Sequence, residues 1–177
     1  MAARGFIQLL RLSERGRQRI QQGQESQEKR WSGVGFMLAG QRYIAPLGEV
    51  AEVLRVPEYT PVHGVHHWLF GLSNVRGRLL PLIDLAKFTN VTDELSLDSA
   101  KRKIMVVDHG DLFSGLLVDE VLGIQHFSKQ TYDAKNTSQY EGIQPYLQGG
   151  FSRADQFWRI FMLSKLAADS RFLSASL

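Results

Sequence analysis

Trp68-Leu69-Phe70-Gly71-Leu72-Ser73-Asn74-Val75-Arg76-Gly77-Arg78-Leu79-Leu80-Pro81-Leu82-Ile83-Asp84-Leu85 is the stretch on which the fold turns. It reads as an apolar strand, a tight turn carrying Asn74, Arg76 and Gly77, and a second apolar strand that closes at Asp84. Two apolar runs joined by a glycine-bearing turn predict a β-hairpin. The turn sets a permanently charged guanidinium at the join of two strands that must otherwise be buried. A cation in such a place is either there to be used or needs a strong local partner. No nucleophile or catalytic base stands beside it, so the stretch points to binding rather than bond-making.

Working outward, the same texture repeats. Val34 to Leu38 predicts a strand, Gly40-Gln41 its turn, and Tyr43 to Leu47 the returning strand. Val50 to Leu54 continues as a third short element, and Pro57 and Pro61 bracket an exposed loop that leads to His63. Beyond a loop over 89–100 come Ile104 to Val107, the turn Asp108-His109-Gly110-Asp111, and Leu112 to Val118. Glu120 to Ile124, Tyr146 to Phe151 and Phe157 to Leu163 follow as strands, with a polar loop over 130–144 and a short helix near Lys165 to Leu173. About nine short strands with little helix between them predict antiparallel barrels or a sandwich.

Composition bounds the function. The chain has 177 residues, 44% of them apolar and 22% charged, which suits one globular domain or two small halves sharing a core. It has no cysteine, which excludes disulfides, thiolate nucleophiles and thiolate metal sites. No window reaches the roughly 18 apolar residues of a membrane span, and Phe6 to Leu10 is too short for a signal peptide, so a cytoplasmic protein without membrane insertion is expected. The net charge of +3 is uneven. Residues 1–30 hold seven Lys/Arg against three Glu, a net of +4, leaving the remainder at −1. Phe6, Leu9, Leu10 and Ile20 make residues 5–22 a weak amphipathic helix, either docking on a partner or leaning on its own domain, and 21–30 a polar linker. A nucleic-acid surface would need a basic, aromatic-laced patch on the folded body, and none is visible.

Catalytic constellations are weak. His63, His66 and His67 hold three of the five histidines and could bind zinc or nickel, which keeps a metal-dependent enzyme as the rival class. Adjacent His66 and His67 would point to opposite faces of a strand, however, and no carboxylate lies near. Asp119-Glu120 and Asp108/Asp111 read as turn and strand carboxylates bonded locally. Asp84 could cap the short helix from Leu85 or pair with Arg76 or Arg78. Gly33-Val34-Gly35 lacks the third glycine and following helix of a dinucleotide loop.

Gly71-Leu72-Ser73-Asn74-Val75-Arg76-Gly77 with Leu80-Pro81-Leu82-Ile83-Asp84-Leu85 resembles the signature of the CheW family of chemotaxis coupling proteins. Supporting motifs stand in order on both sides: Tyr43 to Pro46, Val50 to Leu54, Gly115 to Val121 and Tyr146 to Gly149. The likeness is strongest to the PilI branch, which serves type IV pilus systems, through Trp31 to Phe36, Ala45 to Val50, Val75 to Pro81 and Gln125-His126-Phe127. It divides the chain into a basic extension (1–30), a CheW-like domain (31–168) and a tail (169–177).

That resemblance implies two small five-stranded β-barrels sharing a hydrophobic core, with short terminal helices. It implies a non-enzymatic adaptor without cofactor, joining the cytoplasmic tip of a methyl-accepting receptor to the regulatory domain of a CheA-type histidine kinase. Such adaptors build signalling arrays at the membrane, here for twitching motility, with a flagellar role as the alternative. Arg76 matches the arginine implicated in receptor coupling, and Val50, Glu52, Gly71 and Asn74 fall on positions tied to partner contacts or their shape. Gly77 would permit the turn, Arg76 offer its donors, and Val50, Val53 and Val75 give apolar contact. The bland readings are a turn-holding Arg76–Asp84 salt bridge and plain core packing for Val50 and Val53.

Overall fold

The structure, a computed structural model, describes residues 30–91, 99–109, 112–135 and 138–174. The helix expected over 5–22 and Gly110-Asp111 of the second hairpin turn lie outside the described residues. The strands are β1 (Arg30–Leu38), β2 (Gln41–Pro46), β3 (Glu52–Arg55), β4 (Leu69–Val75), β5 (Arg78–Asp84), β6 (Lys103–His109), β7 (Leu112–Val118), β8 (Glu120–Ser128), β9 (Tyr132–Asp133), β10 (Leu147–Arg153) and β11 (Gln156–Phe161). Among the described residues are also three short α-helices, α1 (Leu85–Phe88), α2 (Leu163–Ala167) and α3 (Ser170–Leu173), and three 3₁₀ turns at Leu47–Glu49, Lys129–Thr131 and Glu141–Tyr146.

Two curled sheets result. One has the order β8-β1-β2-β11-β10-β9 and the other β3-β6-β7-β5-β4. The two-barrel expectation is met with one difference: the first sheet carries a sixth strand, the two-residue β9, paired to β10 at Gly150 and Phe151. The single terminal helix expected near 165–173 is two helices, broken where Asp169 caps α3 through the Arg171 N–H.

Strands buried on both faces explain how one chain fills three cores. Along β6, Ile104 and Val106 enter the core inside the five-stranded sheet, while Met105 and Val107 enter the core shared between the sheets. Side chains alternate along a strand, so an unbroken apolar run serves two cores at once. In β2, Tyr43 and Ala45 face the shared core and Ile44 the interior of the six-stranded sheet, where Phe127, Phe151, Trp158 and Ile160 pack.

Gly33 and Gly35 take their meaning from this arrangement. A Cβ on Gly33 would lie 2.3 Å from the Ala45 carbonyl oxygen and 2.7 Å from Ile44, and one on Gly35 would lie 2.9 Å from Trp158. These glycines make room for a crowded barrel interior. Val34, Phe36 and Leu38, between and beyond them, fill the shared core.

Candidate functional site

The β4–β5 hairpin closes on two residues, since Val75 pairs with Arg78. Arg76 and Gly77 both take positive φ, 52° and 80°, as a type I′ turn requires. Glycine adopts this conformation freely, and an arginine does so against steric preference. Asn74 supports the turn, its Oδ1 accepting the Gly77 N–H at 2.9 Å.

Arg76 pairs with Glu52 across 2.8 Å. β3 and β4 are the two outer strands of their sheet, so this ion pair joins opposite edges and closes the curl at one end. A backbone bridge between Thr60 and Leu72 joins the segment after β3 to β4 as well. The Arg76 side chain remains 78% exposed, whereas that of Glu52 is 26% exposed. One Nη meets Glu52, and most of the guanidinium fork stays open to solvent. The alternative pairing of Arg76 with Asp84 does not form: Asp84 caps α1 by accepting the Lys87 N–H at 3.1 Å.

Val75, next to Arg76, is half-buried against Leu80, Leu82, Ile104, Val106 and Leu117, and Val53, next to Glu52 on β3, is 40% exposed. Val50 is half-buried and packs on the shared core. Gly71 does not join the cluster. It lies four residues back along β4, about 13 Å from Val75 at a strand's rise. There a Cβ would strike the Tyr59 ring at 2.3 Å. Glu52, Asn74, Val75, Arg76 and Gly77 thus share one end of the sheet with Val53 on the neighbouring edge, while Gly71 shapes a different region.

Two contributors escaped the sequence reading. Leu79, opposite Asn74 in the hairpin, is 63% exposed and adds an apolar surface beside the turn. Arg78 reaches over β7 to Asp108 on β6, making a 2.6 Å ion pair while its guanidinium lies 3.6 Å from the centroid of the Phe113 ring. β5 is an apolar run buried on both faces at Leu80, Leu82 and Ile83, so nothing in the sequence marked Leu79 as exposed. No local signal marks Arg78, whose partners lie about thirty residues on. The patch balances two cations with two anions around exposed aliphatic carbon. Exposed pairs of this kind contribute little net stability, and their value lies in orienting donors.

The histidines take another course. His66 stacks on Trp68 with centroids 5.2 Å apart, outside any strand, and no cluster of three metal-ligating side chains occurs among the described residues. Asp119 accepts the Ala39 N–H at 2.7 Å, holding the β1–β2 turn. Glu49 accepts the Leu163 N–H at 2.6 Å, so the turn after β2 caps α2 from a distance. Tyr146 donates to Asp169 at 2.5 Å, and Arg171 donates to both at 2.8 and 3.1 Å. Burial, reinforced by the Asp169 carboxylate, pushes the Tyr146 hydroxyl up to about 12. Burial also works to raise Asp169, but the hydrogen bonds from Arg171 and Tyr146 prevail and hold it at about 2.

The CheW-like domain family matches residues 32–171. This chain is a member of the CheW-like family. PilI of Pseudomonas aeruginosa is 42% identical over 153 residues, covering 86% of this chain and 84% of PilI. Chemotaxis protein CheW of Thermotoga maritima is 31% identical over 111 residues, covering 62% of this chain and 71% of that protein. The crystal structure of the scaffolding protein TtCheW from Thermoanaerobacter tengcongensis superposes with a TM-score of 0.64 at 21% identity, covering 74% of this chain and 88% of that one. CheW-like proteins are non-enzymatic scaffolds that couple receptors to CheA kinase, and this one is a coupling protein of that kind. No helix among its described residues is long and apolar enough to cross a membrane.

Proposed function

We propose that this CheW-like protein links the cytoplasmic tip of a methyl-accepting receptor to the regulatory domain of a CheA-type histidine kinase in a type IV pilus chemosensory system, and so controls twitching motility. It works in the cytoplasm, recruited to receptor arrays at the membrane. The observation that carries this reading is the largely exposed Arg76 guanidinium, fixed on a two-residue turn by its pair with Glu52, with exposed Leu79 beside the turn in the same hairpin. The 42% identity to PilI favours the pilus pathway, and the 31% identity to a chemotaxis CheW keeps the flagellar pathway as the second reading.

The geometry suits recognition of a helical hairpin, where a polar anchor fixes register and aliphatic carbon supplies area. The adaptor acts by differential binding: if it favours one receptor state over another, holding kinase and receptor together transmits that preference. Surfaces of the size used in transient signalling contacts give affinities of about micromolar.

The test is binding of wild type and Arg76→Ala to the kinase regulatory domain and to receptor cytoplasmic fragments from both pathways. Wild type is expected to bind kinase and pilus receptor. The variant should lose receptor affinity about tenfold or more and keep kinase affinity within about threefold, the difference between a removed anchor and an untouched interface. Preference for the flagellar receptor would favour the second reading, and binding to neither partner would remove both.

A further inference from the structure

The interior of the six-stranded sheet is finished differently at its two margins. Arg153 of β10 donates to Gln125 of β8 at 2.7 Å, and its guanidinium lies 4.7 and 4.8 Å from the centroids of the Phe127 and Trp158 rings. That margin is covered by the domain's own side chain. Where β1 and β10 begin and β2, β8 and β11 finish, a recess of about 480 Å³ opens instead. Phe151 and Ile160 are buried at its floor, and Trp31, Tyr132 and Met162 stand around it. Tyr132 is 45% exposed and Trp31 and Met162 are half-buried, so apolar carbon at the rim remains open to contact. A concave apolar surface of this kind marks a binding site.

The chain itself supplies a fitting occupant. Arg30, the first described residue, adjoins Trp31, so residues 1–29 lead away from the rim of the recess. Phe6, Leu9 and Leu10 stand at the spacing that gathers three apolar side chains on one face of a helix. An isolated helix of such length is marginal in water and gains stability by packing that face on something. The reach is right as well. The polar stretch over 21–30 spans about 17 Å as a coil and about 33 Å at full extension. A helix over 5–22 sets its Phe6-to-Leu10 turn about 21 Å from its C-terminal end. Folded back along the linker, it returns that turn to the recess.

We propose that the chain's own N-terminal segment docks in this recess, with Phe6, Leu9 and Leu10 packed against Trp31, Tyr132 and Met162. A tether this short gives an effective concentration of about millimolar. A contact with an intrinsic dissociation constant of about 100 µM is then about nine-tenths filled within one chain, ahead of a second copy at micromolar concentration. Apolar contact holds the segment, since Lys129 at the recess carries the same sign as the net +4 of residues 1–30. The recess belongs to the other sheet from the Arg76 turn, so the failure of either reading leaves the other standing.

The experiment records nuclear Overhauser contacts in the full chain by NMR. Wild type should show cross-peaks from the Leu9 and Leu10 methyls to the Trp31 ring and the Met162 methyl, unchanged on dilution by about tenfold, as an intramolecular contact requires. Leu9→Ser combined with Leu10→Ser should move the Trp31, Tyr132 and Met162 resonances and lower the docked population about tenfold or more, the scale of two lost apolar contacts. The Val75 and Leu79 resonances of the other sheet should stay in place. If the doubly substituted chain does not fold, Tyr132→Ser at the exposed rim replaces it and should weaken the wild-type cross-peaks about threefold. Wild type without these cross-peaks, or Trp31, Tyr132 and Met162 resonances indifferent to the leucine substitutions, would overturn the proposal and leave the recess to another protein. So would cross-peaks that arise between differently labelled chains and fade on dilution, which would assign the recess to a second copy.

Discussion

Arg76 sits where the backbone would favour another residue. Positive φ at both central turn positions is the setting of Asn-Gly, and holding an arginine there costs about 1 kcal/mol. The exposed pair with Glu52 returns at most a similar amount. Arg76→Asn should therefore unfold within about 0.5 kcal/mol of wild type in urea while losing receptor affinity as Arg76→Ala does. A large stability loss would instead make the arginine a structural clamp. The hairpin and its charged tip were legible in the sequence because turn chemistry is local. The partner of Arg76 was not, because Glu52 lies on the far edge of a sheet whose curl no local pattern reveals. The same holds for Arg78 and Asp108. Gly71 was expected only as a position tied to partner contacts or their shape, and what lies against it is Tyr59, away from the charged turn.

At the scale of elements, two features carry testable weight. In β1, Gly33 lies against the Ala45 carbonyl, a backbone atom that cannot swing aside. Gly33→Ala should lower the urea midpoint by about 2 kcal/mol of stability, typical of overpacking, with the m-value unchanged. An unchanged midpoint would mean that the β1–β2 backbone yields to the added methyl. The docking of α3 is electrostatic as well as apolar. Phe172 is buried, and Asp169 receives hydrogen bonds from Tyr146 and Arg171.

With the Asp169 carboxyl held at about 2 against its ordinary 3.8, the folded state binds this proton less readily than the unfolded chain. The stabilisation is full above about pH 4 and drains away as pH falls towards 2. Asp169→Asn should therefore cost on the order of 1–2 kcal/mol at neutral pH, and its deficit against wild type should shrink from about pH 4 downward and vanish only as pH falls through and below 2. A deficit independent of pH would assign the loss to packing. Strand existence along the domain was legible from short apolar runs and turn residues. The face each residue presents was not, since runs such as Ile104 to Val107 are apolar on both sides and alternation is silent there. The two-residue β9 and the break between α2 and α3 were hidden in polar segments with no periodicity to read.

For the whole molecule, the shared core is the organising fact. It joins Phe36, Leu38 and Tyr43 of one sheet to Met105, Val107 and Leu116 of the other, so neither curled sheet buries its faces alone. A rigid body of this kind can present separate surfaces at fixed mutual angles, as a scaffold requires. The Arg76 turn lies at one end of the five-stranded sheet, and the other sheet's outer surface remains for a second partner. The ordered motifs from Trp31 to Gly149 gave family and architecture, because a two-barrel fold leaves its imprint at every hairpin. Partner identity leaves no such imprint, since it resides in a few exposed side chains whose neighbours are set by tertiary closure.

The most direct measurement of the coupling claim is co-sedimentation of the cognate kinase with membranes bearing the pilus-system receptor, with and without this protein. The account predicts that kinase sediments only when the protein is added, and that Arg76→Ala prevents it. Kinase that sediments equally well without the protein, or that fails to sediment with it, would contradict the coupling role.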